Sequence, residues 1–207
     1  MIKRMHCHDE LVNALSAECD IGVLWRMFLD RYSVSKHLLV LVSIPVGLNA
    51  RTIGEIGAGR STVALTLAAS ILDAKLICCD RYDYRDVLKF SELHRFIVGD
   101  ADKFYSRVAS VDFMFIDYLS NKNLSPKDCY REIKRAYGLL PQNGILAMHD
   151  AFEKKYNVAA ALRMFRKKFD KRAEVIVLPY NYGLGLIRKV EPSKHGVLKD
   201  TWQKKSG

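Results

Sequence analysis

The chain has 207 residues, of which 49% are hydrophobic and 27% charged, with 33 Lys and Arg against 23 Asp and Glu and a formal net charge of +10. This is the composition of one globular α/β domain with a short extension, and it excludes disorder, collagen and coiled coil. The positive surplus bears on partners rather than fold: it favours an acidic ligand, a nucleic acid or an anionic surface, and it equally suits a soluble enzyme that binds no nucleic acid.

Met1 to His8 carries Lys3 and Arg4 but no apolar core behind them, so no signal peptide is expected. His6-Cys7-His8 has the residue types to bind a soft metal, although a triplet beside a terminus is more often unordered. Residues 9–43 read as helical, with Leu11, Leu15, Ile21, Leu24, Trp25, Phe28 and Leu29 at helical spacing. Gly22 is expected to separate two helices there. Trp25, Phe28 and Tyr32 are expected on the buried face of a lid helix. The most apolar run, Leu38 to Val46, contains Ser43 and Pro45 and is too short to span a bilayer.

From about residue 50 strands and helices alternate. Arg51–Ile56 reads as a strand that ends in Gly57-Ala58-Gly59, and Ser61–Leu72 as a helix. Ala74–Cys79 is a second strand closed by Asp80, Arg95–Val98 a third closed by Gly99-Asp100, and Val111–Ile116 a fourth closed by Asp117. Ser125-Pro126-Lys127-Asp128 is a helix start with a capping-box variant, and that helix stops at Gly138. Ile145–Met148 is a fifth strand that runs into His149-Asp150, and Asn157–Phe169 is a helix with a basic end. Glu174–Leu178 and Leu184–Arg188 are too closely spaced for a crossover, so they form an antiparallel pair. The expected fold is a Rossmann-like α/β domain: a seven-stranded, mostly parallel sheet with an antiparallel last strand and helices on both faces. Its expected divisions are a helical lid over 1–48, the main domain over 49–190 and a basic tail over 191–207. The five cysteines, odd in number and irregularly spaced, argue against a disulfide framework and for a reducing, cytoplasmic setting. Cys78 and Cys79 are expected simply to pack inside their strand.

In such sheets ligands bind outside the carboxyl ends of the strands. Four consecutive strand ends carry Gly57-Ala58-Gly59, Asp80, Asp100 and Asp117, and the fifth carries His149-Asp150. The dinucleotide fingerprint is incomplete, because Thr62 stands where its third Gly is required, and no phosphate-cradling Lys follows. Glu55, two residues before the first Gly, would repel a pyrophosphate and suit a cationic ligand.

Gly54-Glu55-Ile56-Gly57-Ala58-Gly59-Arg60-Ser61 resembles motif I of the class I S-adenosylmethionine-dependent methyltransferases. The resemblance runs from about Arg51 to Lys189, including the closing Gly183 to Lys189 strand. It implies cofactor contacts from Glu55, Gly57, Ala58, Gly59, Ser61 and Asp117, ribose contacts from Asp80 with Arg81, and adenine contacts from Asp100 and Ala101. Tyr82 and Tyr84 are candidates for stacking on adenine or for surface packing. Gly59-Arg60-Ser61, Phe115-Ile116-Asp117 and Leu146-Ala147-Met148-His149-Asp150 are similar to the small-molecule O-methyltransferase branch of catechol, caffeoyl-CoA and macrocin type. That likeness implies a divalent cation, Mg²⁺ or Mn²⁺, on Asp117, His149 and Asp150, where it would chelate the acceptor and lower its hydroxyl pKa. An equally open reading has His149 donating to a backbone carbonyl and Asp150 capping the next helix.

The chain departs from that branch at Ser120, where relatives carry a His or Lys base, and at Leu119, where some carry a second acid. Lys122 is the nearest titratable substitute, so Asp117 and Lys122 are the expected catalytic pair. The implied activity is methyl transfer to a small-molecule hydroxyl. A nucleic-acid methyltransferase and a catalytically degenerate cofactor-binding protein are the alternatives. Lys154, Lys155, Arg163, Arg166, Lys167, Lys168, Lys171 and Arg172 concentrate charge after the fifth strand, opposed by Asp170 alone. A charge run is usually a solvated face, but placed near the active-site rim it would guide an anionic acceptor. A small, anionic acceptor is therefore the expected partner, with nucleic acid less favoured, no membrane span, and a homo-oligomer compatible.

Overall fold

The computed structural model describes residues 21–29, 34–85, 94–119, 123–152, 156–169 and 171–191. Seven strands, β1 (Thr52–Ile56), β2 (Lys75–Asp80), β3 (His94–Val98), β4 (Phe113–Ile116), β5 (Ile145–His149), β6 (Ala173–Leu178) and β7 (Leu184–Lys189), form one sheet in the order β3-β2-β1-β4-β5-β7-β6. β1 to β5 pair in parallel, whereas β7 is antiparallel to both its neighbours, β5 and β6. The central strand β4, Phe-Met-Phe-Ile, is buried on both faces, as a strand covered by helices on each side must be.

Helices α1 (Ile21–Leu29), α2 (Leu38–Leu48) and α3 (Arg60–Leu72) share one core with Ile53, Leu76, Cys78, Phe113 and Phe115. Helices α4 (Ala101–Arg107), α5 (Pro126–Gly138) and α6 (Val158–Phe169) share the other with Ile56, Cys79, Met114, Ile116 and Met148. Alternate residues of each strand thus feed opposite cores, the period-two consequence of the pleat. The apolar run beginning at Leu38 is α2 itself. It buries Leu38, Leu41, Val42 and Pro45 along one face, and Asn49, at φ 51°, ends it with its N–H on the Val46 carbonyl. No helix among the described residues is long and apolar enough to cross a membrane.

Gly22 is the second residue of α1, and the residues before Ile21, where a preceding helix is expected, lie outside the described residues. Two features differ from expectation. Trp25 is 52% exposed, and α1 buries Val23 and Leu24 instead; Trp25 stacks on Phe28, with ring centroids 5.4 Å apart. Apart from Arg26 and Gly22 every residue of the helix is apolar, so its sequence pattern does not name the buried side. The unexpected helix α4 is seven residues long and buries Phe104 alone, too little for a periodic signal; its one local mark is the N-cap Asp100, which accepts the Lys103 N–H. His6, Cys7, His8, Tyr32 and the tail after residue 191 lie outside the described residues.

The capping box forms as expected. Ser125 Oγ accepts the Asp128 N–H at 3.2 Å, and Asp128 Oδ2 accepts the Ser125 N–H at 3.0 Å. Ser125→Ala should lower the unfolding free energy by about 1 kcal/mol, measured by urea denaturation.

Candidate active site

Every strand end named above lies at one edge of the sheet. β1 stops at Ile56, and Gly57 turns the chain at φ 95°; a Cβ there would press on the Asp117 backbone at 3.3 Å, so this position favours glycine on two counts. Asp117 enters from β4 with its N–H on the Ile56 carbonyl, which locks the two strand ends together.

Glu55 is tied into the loop from behind. The pleat turns it toward α3, where it is completely buried. Ser61 Oγ donates to Oε1 at 2.6 Å, Thr62 Oγ1 to Oε2 at 2.7 Å and Cys78 Sγ to Oε2 at 3.1 Å. Thr62 Oγ1 also accepts the Gly59 N–H at 2.9 Å, so the relay ties the glycine loop to the first turn of α3. Glu55 and Ser61 therefore hold the loop from within and do not line the cavity in front of it. Burial pushes the Glu55 carboxyl up to about 7 against the three donors, which favour the charged form.

The cavity has a volume of about 630 Å³ and is lined by Gly57, Asp80, Arg81, Asp100 and Ala101 of the expected set. Asp80 is held in place: Oδ2 accepts the Ala58 N–H at 3.0 Å and Oδ1 the Tyr82 N–H at 2.9 Å. Tyr82 joins the lining, whereas Tyr84 packs edge-on against Phe96. The far wall was not foreseen. Tyr118 Oη donates to Glu132 Oε2 at 2.7 Å, Arg135 pairs with Asp102 at 2.6 Å, and the Arg135 guanidinium lies over the Tyr105 ring. Only the fold brings these α4 and α5 residues together.

Asp117, His149 and Asp150 do converge, with one ligand atom of each within 4.8 Å of the others. His149 Nδ1 is 3.1 Å from Asp117 Oδ1 and 3.6 Å from Asp150 Oδ2. Burial opposes protonation of His149, but the Asp117 hydrogen bond and charge, the Asp150 charge and the Asn181 backbone outweigh it, and its pKa is raised. Its Nε2 is buried with no hydrogen-bond partner among the described residues. Two carboxylates and the imidazole Nδ1 that faces them make a donor set that a divalent cation could take in place of the proton, and the nitrogen suits Mn²⁺ better than Mg²⁺. Asp150 sits at φ 60°, and the segment after it is clamped to the β6–β7 turn by Ala151 N–H to the Gly183 carbonyl and Phe152 N–H to the Tyr182 carbonyl.

No motif or spacing marks His37. It ends the short 3₁₀ turn Val34–His37, is buried, and stands edge-on to His149 with ring centroids 5.7 Å apart. Burial and the neighbouring His149 push its pKa down to about 4. Ser120 and Lys122 lie outside the described residues, so the expected base is not placed.

The basic run is also relocated. α6 leaves the site end of β5 and returns to the start of β6, where Ala173 pairs with Lys189 and Arg172 accepts the Val190 N–H. Arg166, Lys167, Lys168, Lys171 and Arg172 therefore gather at the sheet end opposite His149, about 18 Å along the helix, and do not rim the cavity.

A raised carboxyl pKa makes the folded state hold a proton that the unfolded chain releases. Stability from Glu55 is therefore complete below pH 4.5 and is lost as pH rises to about 7. Glu55→Gln removes this term, so its stability relative to the parent should improve by about 3 kcal/mol across that window, read from paired urea titrations.

Residues 55–151 match the family described as Methyltransferase domain. No protein of curated function matches the sequence. Among solved structures, the chain is similar to the S-adenosylhomocysteine-bound methyltransferase PaMTH1 of Podospora anserina, with 16% identity over 89% of this chain and 88% of that one and a TM-score of 0.60. It is also similar to the O-methyltransferase TomG of Streptomyces achromogenes, solved with S-adenosylmethionine, with 17% identity, 88% and 90% coverage and a TM-score of 0.58. An O-methyltransferase of Bacillus cereus with S-adenosylhomocysteine gives 13% identity, 90% and 91% coverage and a TM-score of 0.59. The matched span and the strand order agree: residues 55–151 match a methyltransferase-domain model, and the chain has the Rossmann-like methyltransferase fold of these structures.

Proposed function

We propose that the chain transfers the methyl group of S-adenosylmethionine to a hydroxyl of a small molecule, with a divalent cation at Asp117, His149 and Asp150. The observation that carries this reading is the adjacency of two built features: the cavity lined by Gly57, Asp80 and Asp100, and the Asp117–His149–Asp150 cluster beside it. Asp80, fixed by two backbone N–H groups, offers its carboxylate to the ribose hydroxyls. Asp100 and Ala101 border the adenine, and the Gly57 turn lets the backbone close on the cofactor. The Asp117 carboxylate favours a cationic sulfonium at the mouth of the loop. Held in line, methyl donor and acceptor oxygen react without the entropy cost of a free encounter. A bound cation would act as a Lewis acid on the acceptor hydroxyl. Lys122, five residues after Asp117 in the chain, is the candidate proton acceptor in this reading.

S-Adenosylhomocysteine should bind with one site per chain in isothermal titration. Asp80→Ala should weaken that binding about 10- to 100-fold, the loss of hydrogen bonds to a charged group; absence of binding by the parent would overturn the reading. Asp117→Ala and Asp150→Ala should abolish the response of activity to Mn²⁺. Full activity of the parent in excess chelator would remove the cation from the proposal while leaving the cofactor site intact.

A further inference from the structure

The basic surplus lies away from the proposed methyl-transfer site, on α5 and α6. On α6, Arg163, Arg166, Lys167 and Lys168 are exposed, and Lys171 and Arg172 continue the array. On α5, Lys127 and Lys134 are exposed on the neighbouring ridge. None of these eight cations has a carboxylate partner among the described residues; Arg131 and Arg135 of α5, which line the cavity and lie outside the array, are instead paired with Asp128 and Asp102. Unpaired cations concentrated on two packed helices repel one another, a cost that an anionic partner would relieve.

The chemistry beneath and between the cations narrows the partner. Phe165 and Phe169 stack at 4.4 Å and Tyr137 packs on both, so the aromatic side chains of this face turn inward. Lys168 Nζ lies 5.9 Å above the Tyr130 ring. Met164, 38% exposed, is the one exposed large hydrophobic on α5 or α6. A helix that lies in a membrane interface presents a broad apolar face beside its cations, and these helices do not. Neither of the two cavities described is lined by any of these eight cations. What remains is an open array of flexible cations on two ridges about 8–10 Å apart, suited to a polymer with evenly repeated charge.

We infer that the α5–α6 face docks the phosphate backbone of a nucleic acid, at a surface separate from the methyl-transfer site. Contacts of this kind position a chain without reading its sequence. The proposal is independent of the methyl-transfer reading, since none of its residues enters the cavity or the Asp117 cluster.

The test is fluorescence anisotropy of the full chain with a labelled single-stranded RNA of about 20 nucleotides, over a salt series. With roughly five phosphates neutralised, affinity should fall about 100-fold between about 50 and 200 mM salt. Arg166→Gln/Lys167→Gln/Lys168→Gln should weaken binding at least about 10-fold and flatten the log–log salt slope by about two. Lys134→Gln/Lys171→Gln is the second variant and should weaken it about threefold. Arg26→Gln/Lys75→Gln/Arg95→Gln, with the same loss of charge on α1, β2 and β3, should bind like the parent. Equal losses in this control, or binding insensitive to salt, would overturn the proposal. So would tighter binding to phosphatidylserine vesicles than to RNA, which would mark a membrane surface, or equal binding to polyglutamate, which would mark an acidic protein.

Discussion

The buried Glu55 carboxyl is the constraint on which the site end of the sheet depends. It lies on β1, takes donors from the first turn of α3 and from Cys78 on β2, and through Thr62 reaches the amide of Gly59. A carboxyl with no solvent contact is costly unless its oxygens are satisfied. Three donors satisfy it here, and in doing so they set the path of the glycine loop between β1 and α3. The positions of the Ala58 amide, and so of Asp80, follow from that path. The loop is rigid because a buried polar group has few ways of being satisfied.

Charge is divided along the strand direction. Asp80, Asp100, Asp117 and Asp150 stand at the carboxyl ends, while the cations in the last turn of α6, which have no carboxylate partner among the described residues, gather at the opposite end. The division follows from connectivity. A helix after a parallel strand must run back to the start of the next, so a charge run in its last turn is carried away from the site. The same +10 that reads as an attraction for substrate along the chain becomes, in the fold, a surface of its own.

The site is also a meeting of segments with different local logic. Asp117 and His149 come from neighbouring parallel strands, whose pairing of Ile116 with Met148 brings the residues after them together. Asp150 and the β6–β7 turn add three consecutive left-handed residues, Asn181, Tyr182 and Gly183, to hold the segment beyond. His37 arrives from the far N-terminal side on a turn that precedes α2. The backbone strain sits at Asp150 within the cluster and in the turn that holds the segment after it.

The strand ends, their acids, the capping box at Ser125 and the antiparallel closing pair were legible in the residues because each is set by neighbours a few positions away: alternation, glycine turns, helix caps and loop length. Asp117, His149 and Asp150 were legible together only because parallel pairing aligns consecutive strand ends. The direction in which Glu55 points, the far wall of Tyr118, Glu132 and Arg135, the approach of His37 to His149 and the end of the molecule that carries the cations were decided by tertiary structure. Each depends on which face of a strand or helix meets which neighbour, and residues 37 and 149 are linked by burial in a common core with no local pattern to record it. The sequence by itself determined a parallel α/β sheet with acids at the carboxyl ends of its strands; packing alone decided which of those acids line the cavity and which hold the loop beside it.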